Sequence, residues 1–100
     1  MQVHAINTLQ IRFADEPDTR FEDQLRAHAA LCGQATGCLG YALTRSPEAT
    51  TVWLLSGHWA NDEALAAHYR DDALQALLRF LVEARASLQF AVLEADGNGT

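Results

Sequence analysis

The sequence predicts a single α+β domain in which one four-stranded antiparallel sheet carries its helices on one face. Three observations predict this fold class. Four segments have the composition or the alternating pattern of strands, and segments with helical spacing follow the first and the third of them. The resulting order, strand, helix, strand, strand, helix, strand, is the split βαβ arrangement of a ferredoxin-like fold. A chain of 100 residues has room for only one such domain.

The first strand is predicted over residues 3–13, because apolar and polar side chains alternate there. Asn7 is the polar exception on one face of this strand. The other residues of that face are Val3, Ala5, Leu9 and Ile11. A buried amide needs hydrogen-bond partners, so Asn7 stands out from physical considerations alone.

The first helix is predicted to begin within residues 15–18, Asp-Glu-Pro-Asp. A carboxylate there can cap the helix, and proline suits its first turn. The helical face is formed by Phe21, Leu25, His28, Ala29 and Cys32. Gly33 is predicted to end the helix by adopting a left-handed conformation.

The second and third strands are predicted over residues 37–44 and 50–59, with a short polar turn at residues 46–49. So short a connection predicts an antiparallel hairpin. The residues expected to share one face of the second strand are Leu39, Tyr41 and Leu43. In the third strand Trp59 shares a face with Gly57, Leu55 and Trp53, whereas His58 lies on the opposite face and is expected to meet a partner subunit.

The second helical region is predicted in two parts. A short helix capped by Asn61-Asp62-Glu63 covers residues 62–69, and a second helix begins at Asp71 and Asp72, where carboxylates can cap it. The second helix has an apolar stripe formed by Leu74, Leu77, Leu78 and Leu81. The fourth strand is predicted over Ser87–Glu94. The domain is therefore predicted to span residues 1–95, followed by a flexible tail over residues 96–100.

The predicted fold leaves one face of the sheet bare, since right-handed crossovers place both helical regions on the same side. The third strand is apolar on both sides, with Val52 and Leu54 against Trp53 and Leu55. Hydrophobic residues make up 49% of the chain, more than one small core easily hides. The sequence thus predicts a homodimer in which two sheets pack face to face.

Composition argues against several function classes. The net charge is -6, from 13 acidic and 7 scattered basic residues, which argues against a nucleic-acid partner. Neither a membrane-spanning segment nor a signal peptide is visible, so we expect no membrane partner and a cytoplasmic location. Cys32 and Cys38 are interpreted as small buried hydrophobes in a reducing compartment. The four histidines show no metal-binding spacing, so no metal site is expected.

The chain resembles the antibiotic biosynthesis monooxygenase (ABM) domain from the first strand through the fourth. The resemblance rests on Gly37-Cys38-Leu39-Gly40-Tyr41, on the polar hairpin, on Trp59-Ala60-Asn61-Asp62-Glu63-Ala64-Leu65, and on His68. Its most specific part is a tryptophan that ends the third strand, an acidic helix start, and a histidine nine residues after that tryptophan. The resemblance implies a dimeric α+β barrel in which each subunit has a pocket between its sheet and its helices.

The resemblance implies several possible activities, because the family includes oxidases of polycyclic aromatic phenols that need no metal or flavin, haem degraders, and enzymes of small signalling molecules. The leading hypothesis is a cofactor-independent monooxygenase that acts on an aromatic, phenol- or quinol-like molecule, with no cofactor. The second is a non-catalytic dimer that binds a small molecule, which Leu55 and Leu78 favour because characterised enzymes carry polar or ligating groups there. The third is haem degradation. Asn7 matches that branch, but His68 replaces its second tryptophan and Leu78 lies near its iron-binding histidine.

Three residues are predicted to be catalytic: His68, Asn7 and Trp59. Asn7 is either a structural hydrogen-bonding residue or orients a substrate phenol or oxygen. Trp59 is either a core side chain or a pocket wall with an indole N–H donor. His68 is either a buried structural residue or a general base, and its ordinary pKa of about 6.5 suits phenol deprotonation. The residues predicted to contact the substrate are Tyr41, Leu55 and Trp53.

Overall fold

The computed structural model describes residues 2–94 of the chain, so the predicted tail and the domain limit at residue 95 lie outside the described residues. Seven elements follow one another: β1 (Ala5–Arg12), α1 (Thr19–Cys32), β2 (Cys38–Arg45), β3 (Val52–Trp59), α2 (Asp62–His68), α3 (Asp72–Glu83) and β4 (Ser87–Glu94). The four strands form one antiparallel sheet in the order β2-β3-β1-β4. The predicted α+β, ferredoxin-like fold class is confirmed.

The two faces of the sheet differ in burial. On β1, Ala5, Asn7, Leu9 and Ile11 are all buried, as the alternation predicted. We call this side, toward the helices, the inner face. The side that carries Thr8 is the outer face. The register of β1 with β3 places Asn7 opposite Gly57 on the inner face.

Helix α1 begins at Thr19, directly after the acidic segment that was predicted to start it. Its N-cap is Asp18, whose carboxylate accepts a hydrogen bond of 2.8 Å from the backbone N–H of Phe21. Pro17 therefore precedes the cap and is not part of the first helical turn. The prediction of a carboxylate cap is right, but the predicted place of the proline is wrong.

Helix α1 ends at Gly33 without the predicted left-handed residue. Gly33 has φ -69°, and its N–H donates to the carbonyl of Ala29 at 3.0 Å. Space favours glycine there, since an added Cβ would lie 3.1 Å from the Cβ of Tyr41. Within residues 2–94 the left-handed glycine is Gly37, with φ 83°, which stands just before β2.

Strand β2 contains a bulge that changes the predicted face of Leu39. The pairing with β3 shifts between Cys38 and Gly40, so Leu39 is the extra residue and is 38% exposed. Tyr41 and Leu43 pack against the core as predicted. The prediction that Leu39 shares their face is wrong, because a bulge interrupts the alternation.

The core consists of two clusters on the inner face. The main cluster lies under α1 and α3 and comprises Leu9, Ile11, Leu25, Ala29, Cys32, Trp53, Leu55, Leu74, Leu77 and Leu81. The second cluster, which comprises Ala5, Trp59 and Leu65, lies under α2 at the opposite end of the sheet. Tyr41 and Tyr69 pack against both clusters, so the polar atoms of interest lie where they meet.

The predicted caps of the later helices hold. Asn61 accepts from the N–H of Ala64 at the start of α2, and Asp71 accepts from Ala73 at the start of α3. Cys32 and Cys38 are both free thiols. Between residues 2 and 94, no helix combines the length and the apolar character needed to cross a bilayer.

Candidate functional site

A hydrogen bond between Asn7 and Trp59 is the most buried polar contact on the inner face. The indole Nε1–H of Trp59 donates to Oδ1 of Asn7 at 2.6 Å. Asn7 is 3% exposed and Trp59 is fully buried. The pairing of β1 with β3 places Asn7 opposite Gly57, two residues before Trp59 on the same face. The sequence therefore positions the indole to reach the amide.

Gly57 provides the room for that hydrogen bond. An added Cβ would collide with Oδ1 of Asn7 and would lie 2.9 Å from both Nε1 of Trp59 and Cε2 of Tyr41. Alternation along β3 predicts Gly57 on this face, but the role of this glycine beside Asn7 was not predicted. The available signal was a glycine inside a strand of large residues, which often marks a close approach between groups.

His68 and Tyr41 form a second polar contact beside the first. The Tyr41 hydroxyl and Nε2 of His68 lie 3.1 Å apart in a shared hydrogen bond. The His68 ring lies 4.7 Å from the ring of Trp59, centroid to centroid, with 33° between the planes. His68 is 1% exposed and is the last residue of α2, directed toward the sheet as predicted. The four side chains thus form one cluster, which we call the polar cluster: Asn7, Trp59, Tyr41 and His68.

Burial controls the protonation of His68. Removal from water lowers its pKa, and the nearby negative charge of Asp71 opposes that effect only in part. The ring is therefore neutral at pH 7, with one donor and one acceptor nitrogen. Nε2 is used by Tyr41, while Nδ1 is buried without a hydrogen-bond partner among residues 2–94. In one tautomer Nδ1 offers a free lone pair, and in the other it offers a free N–H.

The Tyr41 hydroxyl is also held in its neutral form. Burial raises its pKa far above the usual value, the nearby Cys32 adds to this increase, and a hydrogen bond from Asn7 opposes it. Burial likewise raises the pKa of the Cys32 thiol to about 11. No group among these three carries a charge at pH 7. The polar cluster therefore offers a neutral imidazole, a neutral phenol and an amide in a site from which water is largely excluded.

The remaining two residues predicted to contact substrate lie in the main cluster. Leu55 is buried between Leu9 and Leu43 on the neighbouring strands. Trp53 lies six residues from Trp59, or about 20 Å along β3. It is buried, and Arg26 and Arg45 approach the face of its ring from 5.6 Å and 5.5 Å. The structure therefore brings together Tyr41 and the three predicted catalytic residues, but leaves Trp53 at the far end of the strand.

Two further positions bear on the hypotheses about metals and haem. Leu78 is half-buried on α3 and packs against the main cluster, where its side chain offers no donor atom. In the span 2–94 no three His, Cys, Asp or Glu side chains are grouped so that they could hold a metal ion. His58 lies on the outer face, opposite Ile6 and Gly40.

Comparison with known proteins identifies a family and several solved structures of the same fold. The model of the family described as antibiotic biosynthesis monooxygenase matches residues 3–79. A structure from Deinococcus radiodurans, provisionally assigned as an antibiotic biosynthesis monooxygenase, has a TM-score of 0.81 at 21% identity and covers 91% of both chains. PA3566 from Pseudomonas aeruginosa has a TM-score of 0.74 at 23% identity, covering 94% of this chain and 95% of its own.

SnoaB from Streptomyces nogalater, a cofactor-independent oxygenase, has a TM-score of 0.78 at 13% identity and covers 94% of both chains. At these identities the three structures show a shared fold. No curated protein matches the chain in sequence.

Replacing Gly57 by alanine should disrupt the polar cluster. The added methyl group collides with Asn7, so the free energy of unfolding should fall by about 1–3 kcal/mol, as in other overpacked cores. The Trp59 indole N–H resonance should also move in an NMR spectrum. Gly40→Ala is the matched control, because its Cβ would lie 3.9 Å from the nearest atom. Equal urea midpoints for the two variants would contradict the packing described here.

Acid should destabilise the chain through His68. The unfolded chain takes up a proton near pH 6.5, whereas burial lowers the pKa of His68 in the folded chain. Stability is therefore complete above about pH 6.5 and is lost below it, by at most about 1.4 kcal/mol per pH unit. Urea unfolding between about pH 7 and pH 5 should show a steeper loss for the wild type than for His68→Gln. Parallel curves would show that His68 is not held neutral.

Proposed function

The chain belongs to the antibiotic biosynthesis monooxygenase family, and from that premise we propose that it is a cofactor-independent monooxygenase of an aromatic, phenol- or quinol-like small molecule. The observation that carries the proposal is the polar cluster. Asn7, Trp59, Tyr41 and His68 meet on the inner face, through contacts of 2.6 Å and 3.1 Å. The fold shared with SnoaB, a cofactor-independent oxygenase, is consistent with it.

The chemistry assigned to the cluster starts with a proton transfer. In the tautomer that carries its proton on Nε2, His68 donates to Tyr41, and Nδ1 has a free lone pair for the proton of a substrate hydroxyl. The resulting phenolate is an electron donor to oxygen. One electron passes to O₂, and the two radicals combine at a ring carbon that carries a hydrogen. The peroxide anion takes up the proton held by His68, and loss of the ring hydrogen together with hydroxide, as water, leaves a carbonyl group. Both oxygen atoms are accounted for, one in the quinone and one in water.

The protein supplies positioning and a dry environment for these steps. The Asn7 amide is fixed by the Trp59 indole, so its orientation costs little to maintain when a substrate arrives. The surroundings of His68 exclude most water. A hydrogen bond to an anionic phenolate is therefore stronger there than in water, because few water molecules compete for it.

A second candidate function is non-catalytic binding of a hydrophobic small molecule. Its support is that the cluster satisfies most of its own polar groups, and that Leu55 beside it is apolar. A binding protein needs an apolar cavity and few polar groups, whereas an enzyme needs the free nitrogen of His68. The two candidate functions therefore differ in whether Nδ1 of His68 accepts a proton from the bound molecule.

Oxygen consumption separates the two candidates. With a panel of quinols and anthrones, the wild-type chain should consume oxygen and form quinones without added metal or flavin. His68→Gln should lower kcat/KM by about 10²–10⁴-fold, the usual contribution of a general base. His4→Gln is the matched control, because His4 is exposed and pairs with Asp62. A wild-type chain that binds these compounds but consumes no oxygen would favour the binding function.

The proposal includes a homodimer formed through the outer face of the sheet. The apolar side chains of this face include Ile6, Ala42, Val52, Leu54, Ala91 and Leu93, and Leu54 and Leu93 are exposed. Apolar side chains on several strands of one sheet face, some of them exposed, are typical of a partner surface. Two such faces packed together would remove them from water.

Sedimentation should show the dimer and its dependence on the outer face. Leu54→Glu should shift the wild-type dimer toward monomer, since it would bury a carboxylate in the interface. Leu31→Glu is the control, because Leu31 is exposed on α1, away from the sheet. A monomeric wild type, or a Leu54→Glu variant that sediments as the wild type does, would exclude this dimer.

A further inference from the structure

Two large apolar side chains of β4 are exposed on the inner face. Phe90 is 47% exposed and Val92 is 52% exposed. In the antiparallel register Phe90 lies opposite Leu9 and Val92 lies opposite Asn7, so all four side chains point toward the helix side. Leu9 and Asn7 are buried there. The helices that cover the inner face of β1 therefore leave part of β4 exposed.

The path of the chain explains where the cover ends. Helix α3 ends at Glu83, and the chain re-enters the sheet at Ser87. Leu88 is consequently close to the helical layer, and it packs against the main cluster. Helix α2 packs against β1 and β3 at the other end of the sheet. Phe90 and Val92 lie on the edge strand beside these two covered regions.

We propose that Phe90 and Val92, which we call the β4 strip, hold the apolar ring system of the small molecule whose hydroxyl group is handled by the polar cluster. This inference rests on the proposed function and names two specificity-determining residues for it. The register between β1 and β4 supports this inference, because Val92 pairs directly with Asn7. A ligand that lies on the strip therefore has its polar end next to the Asn7 amide.

The chemistry of the strip selects the class of ligand. Side chains two residues apart on a strand are separated by about 7 Å, which matches the length of fused six-membered rings. Phe90 offers an aromatic face and Val92 a branched aliphatic surface, and neither carries a charge. A flat, uncharged, aromatic body with one hydroxyl group at its end fits this surface, and burying it on the strip would add to affinity in proportion to the apolar area covered.

Two other occupants of the strip are less well suited. Residues 95–100, Ala-Asp-Gly-Asn-Gly-Thr, include no large apolar side chain. A second copy of the chain meets the apolar side chains of the outer face in the proposed dimer, and the strip is on the opposite face. The experiment below tests whether either of these two occupants covers the strip.

The experiment uses 1-naphthol, a fused two-ring phenol, and the full chain labelled with ¹⁵N. The chain has two tryptophans, so the indole region of the NMR spectrum reports on the polar cluster through Trp59 and on the far end of β3 through Trp53. Saturable movement of the Trp59 indole N–H, with little change at Trp53, is the expected result. Phe90→Ser and Val92→Ser should each raise the Kd by about tenfold, a value that corresponds to about 1.4 kcal/mol.

Val82→Ser is the matched control, because Val82 is an exposed apolar residue of α3 and should keep the wild-type Kd. Unchanged affinity in both strip variants overturns the inference, as does a wild-type chain whose Trp59 resonance does not respond. Tighter binding after deletion of residues 95–100 would identify that segment as the occupant of the strip. A change of oligomeric state in Phe90→Ser would identify a second copy instead, and either result overturns the inference.

The same measurements separate this inference from the proposed function. Binding of 1-naphthol requires no oxidation, so the β4 strip stands if the Kd values change as expected while no quinol consumes oxygen. In that case only the monooxygenase proposal fails. If quinols are oxidised and the KM is the same in Phe90→Ser, Val92→Ser and wild type, only the β4 strip fails.

Discussion

The hydrogen bond from the Trp59 indole to the Asn7 amide is the interaction on which the inner face of the sheet depends at the end covered by α2. An amide within an otherwise apolar face costs about 1–3 kcal/mol if it has no partner. Here its oxygen is satisfied at 2.6 Å by a group that is itself buried and also needs a partner. Each group therefore removes the penalty of the other. The contact requires Gly57, because any larger residue there would occupy the space between them.

This contact also determines what the neighbouring side chains can do. With Trp59 held against Asn7, one face of the indole lies against the ring of His68, which in turn meets the Tyr41 hydroxyl. Burial keeps the imidazole and the phenol neutral, so the cluster contains no fixed charge that would repel or trap an anion. Charge that develops on a ligand would then be the largest charge in the site, and the dipoles around it are already oriented.

The sequence was informative where the structure depends on local pattern. Alternation identified the buried face of β1, and short polar side chains identified the starts of α2 and α3. Local pattern failed at the bulge beside Leu39, where one extra residue reverses the alternation. It also could not separate Trp53 from Trp59, which share a face but lie in different core clusters. The contacts of the polar cluster depend on the register between β1 and β3, which joins residues about fifty positions apart in the sequence.

A small domain has too little helix to cover a whole sheet, and the location of the uncovered part follows from the connections. Helices α1 and α3 lie over one end and α2 over the other, and the edge strand β4 receives the least cover. Exposed apolar side chains on an edge strand favour aggregation unless a ligand or a partner covers them. Phe90 and Val92 are such side chains, and they lie beside a buried amide and a neutral histidine. A ligand whose apolar body binds to Phe90 and Val92, and whose hydroxyl group reacts at Asn7 and His68, would explain their exposure. The ligand would complete the core that the helices leave open, and the free energy of covering the β4 strip would hold its hydroxyl group against the polar cluster.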